Sequence, residues 1–270
     1  MVSLQKATYL GEAVQLKELG GVIASITQYP DIAIAEKMHC HENFVLSMVL
    51  QGGNLEKRKD RSVERMAGTV TCHNPGEPHQ SLHMQRASMH INIEVTQNFL
   101  EKYNVQPRAD MLEKASGAAT NFLMLKLYNE LLAGDTTPIN IEAPVLHLIK
   151  FHGKAEHDGN APAWVKKVRE ALYDRWDDAP TLVELSAIAN LHPVNLSAYF
   201  PSYFGCTIGE YRRKIKMEKA LLLLGQPSVP LTSIAYECGF ADQSHFVRVC
   251  KEITGWRPKN LRSLLKNQRH

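Results

Sequence analysis

The segment Leu231–Arg262, LTSIAYECGFADQSHFVRVCKEITGWRPKNLR, restricts the possible folds of this chain more than any other. Its pattern predicts a short helix over Thr232–Cys238, after which Gly239 can adopt the positive φ that ends a helix and turns the chain. Asp242 suits the N-cap of a second helix, because its carboxylate can accept backbone N–H groups of the first turn. The predicted buried stripe of that second helix is Phe246, Val249 and Cys250, at i, i+3 and i+4.

The opposite face of the second helix is mostly polar and basic. It carries Gln243, Ser244, Val247, Arg248 and Lys251. A short helix, a glycine turn and a second helix with such a face predict a helix-turn-helix, the shape that fits a DNA major groove. An ordinary helical hairpin in the core of an enzyme is the alternative, which this gathering of amide and cationic side chains disfavours.

This segment resembles the C-terminal signature of the AraC/XylS-type transcription regulators. The matching residues are Ile234, Ala235, Gly239, Phe240, Ser244, Phe246, Arg248, Lys251, Gly255, Pro258 and Arg262. Cys250 and Leu261 depart from the family pattern, but both are apolar replacements at packing positions. We predict that Gln243 and His245 read bases while Ser244 and Lys251 contact phosphate; for His245 the alternative is a side chain turned partly inward.

A second helix-turn-helix is predicted upstream, with a first helix over Thr181–Ala189 and Pro193 at the start of its second helix. Leu196, Phe200 and Phe204 form the inward stripe, and Val194, Asn195 and Ala198 face outward. Ala198 stands where the family usually has Arg. Pro201 falls where Lys or Arg is common, and it should kink or end the helix because it lacks a backbone N–H. The first motif is therefore expected to make fewer DNA contacts than the second.

One long helix, Ile208–Leu224, is predicted to join the two motifs. Its family counterpart sets the recognition helices about one DNA turn apart, roughly 34 Å. Arg212, Arg213, Lys214 and Lys216 form a basic face on it, which contacts DNA phosphate or is simply solvated.

Charge divides the chain at a polar segment, GKAEHDGNAP. Residues 163–270 contain 16 Lys and Arg against 10 Asp and Glu, whereas the rest has 15 against 18. Only the C-terminal part is thus expected to face phosphate. We predict three parts: a sensor and dimerisation domain over residues 1–152, a linker over 153–162 and a DNA-binding domain over 163–270.

The first hundred residues predict a β-sandwich or barrel, because short runs rich in Val, Ile and Met alternate with turn signals. The runs are Val14–Leu19, Gly21–Tyr29, Phe44–Leu50, Gly68–Cys72 and Ser88–Val95. Helices are predicted over Gln97–Tyr103, Asn121–Leu132 and Ile141–Phe151. The pieces around His39-Cys40-His41 and Gly68…His79 resemble the two half-motifs of a cupin barrel, the usual sensor domain of the same regulator family.

Histidines are the candidate chemical groups of this sensor domain. On a strand, His39 and His41 share one face, and His79 and His83 follow a Pro-Gly turn. In metal-binding cupins two such histidines, a Glu and a later His hold one ion, but Val45 occupies the Glu position here. Our interpretation is that His39, His41, His79 and His83 line an effector pocket, without a metal or other cofactor; metal binding and plain packing are the alternatives.

Other function classes receive less support. The chain has no Gly-rich phosphate loop or G-x-S-x-G motif, so no catalytic residue is assigned. Its five cysteines are odd in number and lack C-x-x-C spacing, which fits reduced thiols in a cytoplasm. Neither a signal-peptide core nor an apolar run of about 18 residues is present, so a membrane location is not expected.

Together these features predict an α+β protein: an N-terminal cupin-like β-barrel with accessory helices, then an all-α domain with two helix-turn-helix motifs. The predicted function is a cytoplasmic transcription activator that responds to a small-molecule effector. The resemblance implies tandem DNA half-sites, RNA polymerase and a second copy of the chain as partners. A metal-dependent cupin enzyme or metal sensor fused to DNA-binding helices is the alternative function.

The two motifs should contribute unequally to base recognition. We expect Asn195→Ala to weaken DNA affinity less than Gln243→Ala, because the first motif offers fewer hydrogen-bonding groups to bases. Titration of each variant against the same operator fragment checks this order. The reverse order would mean that the upstream motif is the main reader of bases.

Overall fold

The α+β class is confirmed by the computed structural model, which describes residues 2–83, 87–107, 109, 118–154, 162–226 and 228–266. Within these residues a sheet-rich N-terminal part precedes a helical C-terminal part. The strands are β1 (Val2–Leu4), β2 (Glu12–Leu19), β3 (Val22–Tyr29), β4 (Ile34–Ala35), β5 (His39–His41), β6 (Phe44–Gln51), β7 (Gly53–Arg58), β8 (Ser62–Met66), β9 (Val70–His73), β10 (His79–His83) and β11 (Ser88–Val95).

Two facing sheets build the N-terminal part. One has the order β1-β5-β10-β7-β8 with β4 beside β10, and the other has the order β2-β3-β11-β6-β9. All neighbours pair antiparallel except β1 and β5. Contacts cross between the sheets: the Arg65 guanidinium donates to Ser47 Oγ at 2.8 Å, and His73 Nε2 lies 3.1 Å from Glu56 Oε1. The space between the sheets is therefore bridged by polar side chains.

The second sheet has one apolar and one largely polar face, because successive side chains on a strand point to opposite sides. On β6, Phe44, Leu46 and Met48 join the main apolar core, while Ser47 contacts Arg65 of the other sheet. On β11, Ile91 and Ile93 join the same core, whereas His90 and Asn92 line the space between the sheets. The apolar core thus lies outside the sheet pair, under the helices.

The helices follow the strands in the chain. They are α1 (Gln97–Tyr103), α2 (Ala118–Leu132), α3 (Pro138–Lys154), α4 (Ala163–Asp174), α5 (Leu182–Ala189), α6 (Pro193–Phe204), α7 (Ile208–Leu224), α8 (Leu231–Glu237), α9 (Gln243–Thr254) and α10 (Pro258–Lys266). Both predicted helix-turn-helix pairs, α5–α6 and α8–α9, are present, and α7 has the predicted bounds. Most of the predicted linker, residues 155–161, lies outside the described residues, so the three-part division of the chain stays a prediction.

The main apolar core runs from the second sheet through α2 and α3 into the second helix-turn-helix. Its buried residues include Leu46 of the sheet, Leu127 of α2, Phe246 of α9 and Leu261 of α10. A smaller core is confined to α4, α5, α6 and the first half of α7, and Phe200 is fully buried in it. The first motif therefore has a core of its own, while the second motif shares one with the N-terminal part.

Pro201 does not end its helix, so one of the two outcomes predicted from its missing N–H, an end of the helix, is wrong; the predicted kink stays a prediction. Helix α6 continues to Phe204 and stops at Gly205, whose φ of +67° lies in the left-handed region. The Gly205 N–H donates to the Pro201 carbonyl at 2.9 Å, and the rings of Phe200 and Phe204 stack at 3.9 Å. Burial of this aromatic pair on both sides of Pro201 offsets the loss of one backbone hydrogen bond.

The two cores predict different responses to the same substitution. Phe200→Ala should lower the local unfolding free energy of α4–α6 by about 3–5 kcal/mol and leave the sheets unchanged. Phe246→Ala, which removes an equally buried ring, should also loosen α2, because that helix packs on α9. Native-state hydrogen exchange measures both; loosening of the sheets by Phe200→Ala would contradict the separation of the cores.

Candidate functional site

Helix α9 presents the predicted DNA-reading face to solvent. Its first turn is capped as predicted, since Asp242 Oδ1 accepts the N–H of His245 at 2.7 Å. The exposed side chains are Gln243, Ser244, Arg248 and Lys251, and Val247 is half-buried. Phe246, Val249 and Cys250 are buried on the other side, so the helix separates its two faces as the sequence predicts.

His245 is half-buried and turns back onto its own motif. Its Nδ1 accepts the Ala241 N–H at 3.2 Å, and its ring packs edge-on against Phe240. With Nδ1 used as an acceptor, a neutral imidazole carries its proton on Nε2. His245 can therefore offer one N–H donor to a base acceptor while its ring stays anchored.

The far end of the second motif docks on α2. The indole Nε1 of Trp256 donates to the Leu125 carbonyl at 3.0 Å, and the Trp256 ring stacks on Tyr128 with centroids 5.3 Å apart. Gly255 has a φ of +79°, and a Cβ there would come within 3.3 Å of Asn129. These contacts follow the C-terminal end of α9, so the docking leaves the exposed face of that helix free.

The second helix of the first motif, α6, also exposes a face to solvent, but the predicted reading residues on it are uncharged. Thr181 and Glu184 form the predicted capping box, and Val194, Asn195 and Ala198 are exposed as expected. Tyr199 was missed by the sequence analysis, although it is 50% exposed and follows Asn195 by four residues on the same face. That i, i+4 spacing is the signal that could have identified it.

The basic face of α7 is only partly available to DNA. Lys216 Nζ donates to the Gly239 carbonyl at 2.6 Å and so fastens the turn of the second motif. Arg212 is half-buried, and burial lowers the pKa of its guanidinium. Arg213 is half-buried as well. The structure thus gives Lys216 a structural contact that the charge pattern alone did not indicate.

A buried ionic network crosses the space between the two sheets and joins them. The Glu56 carboxylate is 2.7 Å from Arg58 Nε, 3.2 Å from Arg65 Nη1 and 3.1 Å from His73 Nε2. Burial by itself raises the pKa of Glu56, but His73 and the two arginines outweigh it and hold this pKa far below its usual value. Neither Glu56 nor His73 was identified from the sequence.

Three of the four predicted effector histidines come together in this space. His39, His41 and His79 each offer a ring nitrogen within 4.8 Å of the others. Burial, with the nearby histidines, lowers the pKa of His41 to about 3 and that of His79 to about 2. Both rings are therefore neutral near pH 7, with a lone pair available on one nitrogen.

His83 belongs to a neighbouring group instead. Its Nε2 lies 3.3 Å from Glu36 Oε1, its Nδ1 lies 3.2 Å from Ser88 Oγ, and its ring stacks on Tyr29 at 3.8 Å. Both ring nitrogens thus have partners. His83 is placed to hold Glu36 and Tyr29 rather than to face the other three histidines.

An interior cavity of about 30 Å³ adjoins the three histidines, and its walls include His73, His90, Tyr29 and Glu36. A larger groove of about 430 Å³ opens to the surface and shares Leu10, Tyr29 and Glu36 with that cavity. The small cavity has room for one or two water-sized groups, whereas the groove is in the size range of small-molecule sites.

The family match of this chain lies in its helical part. Residues 185–263 match the helix-turn-helix domain family. The transcriptional activator RhaS of Escherichia fergusonii is 30% identical over 134 residues, 50% of this chain and 40% of that protein. The arabinose operon regulatory protein of Escherichia coli K12 is 29% identical over 140 residues, 50% of this chain and 45% of that protein. The chain thus spans less than half the length of these curated relatives.

Among solved structures, ToxT from Vibrio cholerae O395 superposes with a TM-score of 0.38 at 10% identity, over 91% of this chain and 98% of that one. No helix within the described residues has the length and apolar character needed to cross a bilayer.

The exposed face of α9 predicts a measurable role for Arg248. Arg248→Ala should weaken binding to the operator by about 1–3 kcal/mol, because an exposed guanidinium on this face can pair with a base or a phosphate. Lys59→Ala is the control: it removes one positive charge from the exposed turn between β7 and β8. Fluorescence anisotropy at fixed salt compares the two; equal losses would contradict docking through α9.

Proposed function

We propose that this chain is a sequence-specific DNA-binding transcription regulator of the AraC/XylS type, acting in the cytoplasm as an activator. The match of residues 185–263 to the helix-turn-helix domain family and the likeness to the activator RhaS support this proposal. In this role the protein catalyses no reaction. The observation that carries it is the exposed face of α9, where Gln243, Arg248 and Lys251 stand clear of the helix's buried stripe. Gln243 and His245 read bases in this proposal, while Ser244 and Lys251 hold phosphate.

The two motifs act as unequal halves of one reader. Helix α7 joins them, and tandem half-sites about one DNA turn apart match a pair of recognition helices on one side of the duplex. Asn195 is the hydrogen-bonding side chain among the predicted readers of α6, so the first half-site is read more loosely. Arg212 and Arg213 on α7 contact phosphate next to the first half-site. Both side chains are half-buried, so only their exposed parts are available for this contact.

A small effector acts at the space between the sheets. The interior cavity is too small for a metabolite of ordinary size, so the body of the effector occupies the adjoining groove of about 430 Å³. Tyr29 and Glu36 form the shared wall, through which a polar group of the effector reaches His39, His41 and His79. His83 supports that wall through its contacts with Glu36 and Tyr29.

The shared apolar core supplies a route from this space to DNA. Strand β6 has Ser47 on the polar side and Leu46 and Met48 on the apolar side, and these two residues belong to the same apolar core as α2. Helix α2 in turn holds Trp256 through the Leu125 carbonyl and the Tyr128 ring. Effector binding shifts the populations of two arrangements of this contact, and a second copy of the chain and RNA polymerase respond to one of them.

The deciding experiment selects bound fragments from random and genomic DNA and measures their retention across a salt series. We expect enrichment of a two-part site of about 20 base pairs whose binding falls steeply as salt rises, because phosphate contacts release counterions. The Gln243→Ala, Arg248→Ala double variant is the matched control and should lose the enrichment while staying folded, since both side chains are exposed. Equal retention of all sequences by the wild-type chain and the double variant would overturn the proposal.

A further inference from the structure

The exposed face of α6 differs in chemistry from that of α9. The whole of α6, PVNLSAYFPSYF, contains no Asp, Glu, Lys or Arg. Val194 is 66% exposed on it, and Ala198 and Tyr199 are exposed as well. None of the large apolar side chains that the described part of the chain exposes lies on α9, which exposes Gln243 and Arg248 instead. The two helices therefore offer different groups to DNA.

Four exposed side chains of α6 form one patch, because residues three and four apart share a face of a helix. Val194 and Ala198 are one such pair, and Asn195 and Tyr199 are another. Asn195 also stands three residues before Ala198. Phe200 is fully buried on the other side of the helix, in the core of the first motif. This α6 patch thus combines one amide with apolar and aromatic surface.

The side chains of the α6 patch suit some bases and not others. In the major groove guanine pairs with Arg or Lys, and cytosine donates to Asp or Glu, and α6 carries none of these. Asn forms two hydrogen bonds with adenine, and small apolar side chains contact the C5 methyl group that thymine alone carries. Asn195 fits the first role, and Val194 and Ala198 fit the second. The patch is therefore complementary to A·T pairs.

The apolar side chains of the patch are held ready for such contacts. Val has one strongly preferred rotamer in a helix, and Ala has no rotamer freedom to lose. The helix has Pro193 in its first turn, and it ends at Gly205, whose φ of +67° lies in the left-handed region. Contact of Val194 or Ala198 with a methyl group thus removes apolar surface from water at a small entropic cost.

The spacing of the two apolar side chains determines the spacing of the methyl groups that they can contact. Val194 and Ala198 are four residues apart, which is about 6 Å along a helix that rises about 1.5 Å per residue. Successive bases of one DNA strand are about 3.4 Å apart. Thymines about two base steps apart, with an adenine beside them for Asn195, therefore match the patch.

We propose that α6 recognises a half-site of A·T pairs by contacting thymine methyl groups through Val194 and Ala198, with Asn195 on a neighbouring adenine. Helix α9, whose Arg248 can pair with guanine, reads the other half-site, so the two halves of the operator differ in composition. This inference rests on the proposed function, because the α6 patch meets base edges only when both motifs bind DNA.

Replacement of thymidine by deoxyuridine tests the methyl contacts, since uracil pairs with adenine as thymine does but lacks the C5 methyl group. The probe is the fragment that the wild-type chain enriches from random DNA, made with deoxyuridine in one half-site at a time. Fluorescence anisotropy at fixed salt should show that one substituted fragment binds about 16-fold more weakly, from about 4-fold for each of two methyl groups. Equal affinity for the unmodified and both substituted fragments would overturn the proposal.

The variant Val194→Ser tests which residue makes the contact. Because Val194 is largely exposed, the change should leave the core of the first motif intact. It should weaken binding to the thymine fragment about 4-fold and lower the ratio of thymine to uracil affinities by the same factor, because residue and methyl group lose one shared contact.

Val183→Ser is the matched control, because Val183 is 71% exposed on α5 and lies outside the α6 patch. This variant removes the same apolar group from the same motif and should keep the full ratio of thymine to uracil affinities. A ratio that Val194→Ser leaves unchanged, or that both variants lower equally, would refute recognition of thymine by α6.

The selection of DNA fragments separates this inference from the proposed function. An enriched two-part site whose affinity is independent of thymine methyl groups would leave the regulator standing and overturn the inference alone. A chain that enriches no sequence would overturn the regulator and the inference with it. We expect a two-part site in which one half consists mainly of A·T pairs, and two halves rich in G·C pairs would contradict the inference.

Discussion

The alternation of side chains along the second sheet is the constraint on which the rest of this structure depends. Strands β6 and β11 place apolar residues on the helix-covered side and polar residues on the side that faces the other sheet. One sheet thus builds both a conventional core and a space lined by ionisable groups. The Glu56 network with Arg58, Arg65 and His73 reduces the free-energy cost of burying these charges, because each one has a partner of opposite sign.

The helical part was the more predictable, because local residues determine its turns. Gly239 has the left-handed φ that its position requires, Asp242 caps α9, and Thr181 caps α5, each within a few residues of the feature it controls. The exception is Pro201, which lacks a backbone N–H and was expected to disturb α6. The helix continues through it, with the stacked rings of Phe200 and Phe204 buried on either side. That outcome depends on packing against α4 and α7, which a reading of the helix by itself does not contain.

The polar space between the sheets was predictable only in part, since distant strands build it. His39, His41 and His79 were identified by their spacing, but Glu56 and Arg65 lie in the run GNLEKRKDRSVERM, which has the composition of an exposed charged hairpin. These charged side chains point inward only because β7 and β8 pack face to face with β6 and β9 of the other sheet. His73 has a weaker local signal: it follows buried Cys72, so strand alternation turns it away from the apolar core.

The division of the apolar cores has a consequence for how genes of this kind recombine. A crossover between Lys154 and Pro162 would carry the first motif into a new gene with its own core complete. The second motif would arrive without the Tyr128 ring and the Leu125 carbonyl that hold Trp256. A new upstream partner would have to provide an equivalent aromatic contact for Trp256, so the two helix-turn-helix motifs differ in how freely they can be inherited.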